Sequence, residues 1–342
     1  MGDALGQPSE IDFTWNELCK CAITVGRHRD DVLKYGPFSS FELVWRLSMV
    51  FANLREDPTG SLVPTDAFTN LDRTEKGAVS FFLGNCFTKL VLEKLFGVPW
   101  LLHFDVYRYS LNAVLAFNRR PDFVGLDARH QWAVAEAKGH SWGMDRHTME
   151  GAKRQTRSLR RIDGQYPALR TAVGVWFSGT GTTAKIWDPH GYDDDAQDFP
   201  IDMDRFLRLY YEPLIVHTEL LQTQARPQGQ TGKLRRSIEV QAFDAQLFVD
   251  DDIVTSYARE VPLGQILIAA KTNVQDSILE VMAFLDEAPD ARATADTPDK
   301  LHLLVDKNRF SDIGEAADGV TVALGPAWRA ENMRRNPADR SG

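Results

Sequence analysis

The sequence predicts an α/β protein: an α/β/α core with a mixed central sheet over residues 72–190, preceded by an N-terminal helical extension over 1–71 and followed by a smaller α+β C-terminal region over 237–328. Three observations carry that prediction. Residues 74–96 are apolar nearly all round, with Phe81, Phe82, Leu83, Phe87, Leu90, Val91, Leu92 and Leu95, as in a buried helix. Two runs rich in Val, Leu, Phe and Trp, 120–127 and 132–139, flank the polar Ala128-Arg129-His130-Gln131 and have the pattern of a hairpin. From that helix onward the order is helix, three strands, helix, two strands, ending at Trp187.

Residues 1–10 carry no periodicity and are expected to be flexible. Phe13, Leu18, Ala22, Val25 and Leu33 fit a helix over 12–35, and Pro37-Phe38-Ser39-Ser40 opens a second, with Ser39 and Glu42 spaced as a capping box. Pro58, Gly60 and Pro64 place a loop at 56–70. The long helix is stopped by Gly97 and Pro99. Residues 100–109 form the first core strand, where His103 and Asp105 share a face, either as a metal pair or as a polar pair near a strand end.

After the hairpin, 144–162 is a helix. Residues 171–177 and 183–187 are strands joined by Ser178-Gly179-Thr180-Gly181-Thr182, whose G-x-G lacks the following helix and lysine of a phosphate loop and therefore makes a hairpin turn. Residues 191–236 supply a helix at 203–222 and an exposed linker at 223–235. In the last region 237–248 is a strand, Asn273 caps a helix to about residue 287, 288–299 is a loop, and 301–305 and 320–324 are short strands. The tail, 329–342, is polar and frayed.

Composition bounds the function. Of 342 residues 43% are hydrophobic and 25% charged, the balance of a soluble globular chain. Cys19, Cys21 and Cys86 make neither a disulfide framework nor a C-x-x-C zinc site, and fit buried or incidental thiols in a reducing cytoplasm. No stretch approaches eighteen uninterrupted apolar residues, and Asp3 and Glu10 do not suit a signal peptide, so no membrane partner is expected. The net charge of −9 argues against a simple nucleic-acid coat protein. The acids concentrate in Asp193-Asp194-Asp195, in Asp250-Asp251-Asp252 and around 287–299, as solvated loops or as contacts for a partner protein.

The chemistry lies in the hairpin. With its turn centred on Arg129, residues whose numbers sum to 258 face each other, which sets Asp122 opposite Glu136. Lys138 projects from the same face as Glu136, because strand side chains alternate. Val124, Leu126, Trp132 and Val134 extend that face as an apolar stripe, while Gly125, Ala133, Ala135 and Ala137 leave the other face open to close packing. Two carboxylates at the end of a buried sheet repel unless a cation lies between them, and a hard divalent ion such as Mg²⁺ supplies one. Lys138 would then orient the attacking water or balance charge in the transition state. The plainer reading is a buried salt bridge in an ordinary sheet.

At these residues the chain resembles the PD-(D/E)xK, or restriction-endonuclease-like, nuclease superfamily. Pro121-Asp122 matches the first half of that motif and Glu136-Ala137-Lys138 the second, with thirteen residues between the two acids. The resemblance implies a restriction-endonuclease-like core and an Mg²⁺-dependent nuclease, with Mn²⁺ as a substitute. In it Asp122, Glu136 and the Ala137 carbonyl bind metal and Lys138 assists catalysis. It also implies a further acid from the preceding helix, for which Glu75 is preferred over Glu93. The plainer account of Glu75 is a first-turn acid favoured by the helix dipole. Such nucleases often point a Gln or basic residue at the site from the helix after the second motif, and Gln155 is the matching position.

Lys153, Arg154, Arg157 and Arg161 share one side of the 144–162 helix and form a stripe that can track a nucleic-acid backbone, or else a solvated face. Lys233, Arg235 and Arg236 fit a solvated loop better than a nucleic-acid contact. The leading expectation is a cytoplasmic, Mg²⁺-dependent deoxyribonuclease, fitting restriction or phage defence by analogy alone. The rivals are the same site acting on RNA, and a non-catalytic nuclease-like binding or structural subunit. The C-terminal region is expected to serve recognition, regulation or contacts with a partner protein or a second copy.

Overall fold

The computed structural model describes residues 10–25, 37–113, 119–187, 196–229, 231–263, 301–305 and 316–328, with backbone alone for 37–40, 301 and 304. The described residues begin with strand β1 (Glu10–Phe13) and include helices α1 (Trp15–Thr24) and α2 (Pro37–Asn53). A small ribbon, β2 (Leu54–Glu56) and β3 (Leu62–Pro64), and a short helix α3 (Asp66–Thr69) lead into the long α4 (Arg73–Phe96). Next come β4 (Trp100–His103), α5 (Phe104–Tyr107), β5 (Phe123–Leu126), β6 (Trp132–His140), α6 (Arg146–Thr156) and β7 (Leu159–Ile162). They are followed by β8 (Leu169–Ser178), β9 (Gly181–Trp187), β10 (Gln197–Phe199) and α7 (Met203–Leu220). Among the described residues there follow β11 (Arg226–Gln228), β12 (Lys233–Val240), a 3-10 turn (Gln241–Phe243), β13 (Ala245–Asp250), α8 (Asp251–Ala258), β14 (Leu301–Val305) and β15 (Val320–Leu324).

The chain is mixed α/β around a seven-stranded sheet of order β1-β14-β9-β8-β6-β5-β4. β4, β5 and β6 form an antiparallel meander, and β8 returns parallel to β6 by way of α6. Helices cover both faces of β6. On one face α4 comes so close that a Cβ on Gly139 would sit 1.8 Å from the Ser80 carbonyl oxygen. On the other, Met149 of α6 packs where a Cβ on Gly174, the partner of Lys138 in β8, would stand. α4 persists for 24 residues because Asp72 caps its N-terminus through the N–H groups of Thr74 and Glu75, and Gly97, at φ 60°, ends it in the left-handed region.

Several expectations are corrected. Residues 10–13, expected as the end of a flexible segment and the start of a helix, are a strand: β1 pairs with β14, so residues of the expected N-terminal helical extension, and the strand 301–305 expected in the small C-terminal region, join the central sheet. The capping box is made by Thr14 and Glu17 at the start of α1, whereas Ser39 lies inside α2. The first core strand stops at His103, and 104–107 turn into α5. The linker proposed at 223–235 holds β11 and the start of β12, part of a four-stranded sheet of order β11-β12-β13-β15.

Asp250 is buried and accepts from Lys233 and Arg235, at 2.6 and 2.9 Å, while Asp251 takes Arg236 at 2.7 Å. Asp250 and Asp251 therefore pair with those three basic residues, while Asp252 is exposed as expected. The three cysteines are free and buried. Among the described residues no helix is long and apolar enough to cross a membrane. The acids at 193–195 and 287–299, the helix at 273–287 and the tail from 329 lie outside the described residues.

Candidate active site

The hairpin register follows from local chemistry. Asp127 closes the turn: its Oδ1 accepts from the N–H groups of Arg129 and Gln131 at 2.8 and 2.7 Å, and His130 takes a positive φ of 62°. Phe123 thus faces Ala135, Val124 faces Val134 and Leu126 faces Trp132. Each pair sums to 258. One step further, just before β5 begins, the Asp122 N–H donates to Glu136 Oε2 at 2.8 Å and Asp122 Oδ2 accepts from the Ala137 N–H at 3.0 Å.

Glu136 is 0% exposed and ion-pairs with Lys138, whose side chain is about a quarter exposed (26%). Burial, and after it the Asp122 carboxylate, push the Glu136 carboxyl up to about 8; Lys138 and the Asp122 N–H work in the opposite direction. In a strand the N–H and C=O of one residue point to the same edge, so the Ala137 carbonyl faces the Asp122 side. The residue opposite it in register, Pro121, has no N–H to give to that carbonyl. Two carboxylates and a carbonyl are oxygen donors of the type a hard divalent cation takes. Among the described residues no group of three or more His, Cys, Asp and Glu side chains gathers as a metal site, so water and substrate oxygens would complete the shell.

The other sequence candidates are spread around this centre. Gln155 donates to the Arg120 carbonyl at 3.1 Å, bracing the main chain two residues before Asp122. Glu75 is exposed in the first turn of α4, beside its cap Asp72, on a helix covering the sheet face opposite to Glu136 and Lys138. Glu93 ion-pairs with Lys20 well away, in the interior. The basic stripe is broken. α6 ends at Thr156, Arg157 caps it, and Arg161 lies on β7 with its guanidinium 4.6 Å over the Tyr166 ring. Lys153 lies 4.5 Å over the Trp187 ring, and Arg154 is exposed.

His103 and Asp105 part company where the strand gives way to α5. Asp105 takes Arg120 at 2.5 Å, and His103 meets the Phe123 ring edge-on at 5.4 Å. Burial holds the His103 imidazole below its ordinary value, against the pull of Asp122 and Asp105, and its Nδ1 is buried without a partner among the described residues. Arg120 is the near neighbour that sequence reasoning passed over; its place directly before Pro121-Asp122 was the available signal. Compared with known proteins, the chain matches no family model, no curated protein and no solved structure. Its function is therefore argued from its own geometry.

Proposed function

We propose that the chain is an Mg²⁺-dependent nuclease that hydrolyses DNA phosphodiester bonds, on a restriction-endonuclease-like core. One observation carries the reading: Asp122, at the entry to β5, exchanges main-chain hydrogen bonds with Glu136 and Ala137 of β6, and buried Glu136 ion-pairs with the partly exposed Lys138. The topology supports it, since a helix, an antiparallel three-strand meander, a crossover helix and a strand parallel to the third follow one another from α4 to β8.

Asp122, Glu136 and the Ala137 carbonyl would hold Mg²⁺, or Mn²⁺ in its place, which when bound polarises the phosphate and lowers the pKa of a water molecule. The main-chain N–H groups of Ala137 and Asp122 fix the two carboxylates before substrate arrives, so little reorganisation remains for the reaction. Lys138 orients the attacking water and offsets charge on the phosphate. Gln155 keeps the segment entering β5 in place. Among the basic residues, Lys153 and Arg154 on α6 are the DNA contacts this reading retains from the helix, with Arg157 at its end. A role in restriction or phage defence is carried over by analogy of fold.

The test is incubation of plasmid, linear duplex and single-stranded DNA, with RNA in parallel, in Mg²⁺ or chelator. Cleavage is expected in Mg²⁺ alone and is lost in Asp122→Ala and Lys138→Ala with the fold retained. Mg²⁺-dependent cleavage by both variants would overturn the assignment. A second reading, a non-catalytic nuclease-like subunit, draws on the net charge of −9 and on a site built from two carboxylates rather than three. Calorimetry with Mg²⁺ separates the two, because only the enzyme needs the ion.

A further inference from the structure

The sheet edge that holds Asp122 carries two large aromatic side chains that the chemistry above does not use. β4 and β6 run toward this edge and β5 runs away from it, so the segments leaving β4 and β6 meet beside the segment entering β5. Trp142, in the bend after β6 and four residues beyond Lys138, is 69% exposed; Tyr109, just past α5, is 66% exposed. Tyr109 is held in place. The Arg108 guanidinium lies 4.7 Å over its ring and donates to its hydroxyl at 3.0 Å. Arg108 also bonds Asp105 at 3.4 Å, and Asp105 in turn takes Arg120, two residues before Asp122.

A lone exposed ring needs no explanation. Two exposed rings on the segments leaving β4 and β6, one of them backed by a guanidinium and tied through Asp105 and Arg120 to the chain just before Asp122, make a different surface. We infer that this edge takes a nucleic-acid strand with unstacked bases, single-stranded or locally opened, whose bases lie on Trp142 and Tyr109 while Arg108 draws its phosphates. The inference rests on the nuclease reading and narrows its substrate. A duplex keeps its base faces stacked on one another and offers this edge mainly phosphates, whereas a free base can lie flat on an indole or phenol whatever its sequence. Arginine suits such a platform, since its planar cation both stacks on rings and pairs with phosphate.

The experiment uses the full chain in chelator, with a fluorescein-labelled single strand and a hairpin duplex of the same length read by anisotropy. The single strand is expected to bind at least about five-fold tighter than the duplex. Trp142→Ala and Tyr109→Ala each weaken the single strand by about five-fold or more and leave the duplex unchanged. Trp142→Phe, which keeps a ring, retains most of the affinity. Equal affinity for the two forms, or single-strand affinity unchanged in both alanine variants, overturns the inference. Cleavage by the wild-type chain is scored separately in Mg²⁺, so a failure of the catalytic reading and a failure of the stacking surface register separately.

Discussion

The Asp122 N–H donates to Glu136 Oε2 at 2.8 Å, so the main chain of one acid holds the side chain of the other. That bond and the neighbouring Lys138 offset only part of what burial costs the Glu136 carboxylate, which titrates at about 8 instead of 4.5. Between those values the folded chain keeps a proton that the unfolded chain has lost. Stability of the metal-free protein therefore falls as pH rises through this window and levels off above it. Glu136→Gln removes the titration. In urea melts with chelator, wild type is expected to lose roughly 2–4 kcal/mol relative to Glu136→Gln between about pH 5 and pH 9. Parallel pH dependence of the two proteins would contradict the assignment of this proton.

Lys138 acts on the same equilibrium from the other side, since its charge favours ionised Glu136. Lys138→Met should move the acid limb of the pH–rate profile upward and lower cleavage by roughly 10²–10³. Lys138→Arg should return the limb toward its original position without recovering the rate, because a guanidinium cannot place a water as a compact ammonium does. A limb that stays put in Lys138→Met would mean that Glu136 is not the group titrating.

How much of this was legible beforehand depended on sequence distance. The hairpin register was readable because a four-residue polar turn joins two alternating runs, and a slip of one residue would have turned Val124, Val134 and Trp132 to the face where α4 packs closely against small residues. The pairing of β1 with β14 was not, since each strand is four or five residues long and their partners lie nearly the whole chain apart. The α6 stripe failed for a local reason. Helical spacing continues past Thr156 into 157–161, but Ser158 turns its hydroxyl back to the Gln155 carbonyl and the chain leaves as β7. At His103 the apolar residues Val106 and Tyr107 prolong the strand pattern, and nothing in the alternation announces α5.

Gly139 sets the distance between α4 and the site strand. A Cβ there would lie 1.8 Å from the Ser80 carbonyl oxygen, a backbone atom that cannot swing aside, and one on Gly84 would lie 2.7 Å from the Gly139 Cα. Gly139→Ala is expected to destabilise by roughly 1–3 kcal/mol or more and to depress cleavage by displacing β6. Gly77, on the same helix with nothing within 4 Å of its would-be Cβ, is the control. Gly77→Ala should stabilise by roughly 0.5–1 kcal/mol. Equal urea midpoints for the two variants would refute the close packing.

Behind the sheet, buried Asp318 gathers the segments that looked separate in sequence. Its carboxylate accepts from the Tyr210 hydroxyl at 2.6 Å and lies 3.5 Å from the Lys20 ammonium, and its carbonyl accepts from Tyr211 at 2.7 Å. Lys89, 0% exposed on α4, donates to the same Tyr210 hydroxyl at 2.7 Å, and burial pulls its ammonium below the usual range against the attraction of Asp318. α1, α4, α7 and the loop before β15 are thus fastened at one point, and two lysines depend on two acids, Asp318 and Glu93. Asp318→Asn removes one acid and leaves the ammonium groups of Lys20 and Lys89 against Glu93 alone, which should destabilise by roughly 3–5 kcal/mol. Adding Lys89→Met restores the balance, so the double variant should recover part of that loss. Strictly additive losses in chemical denaturation would show that the four charges do not act as one network.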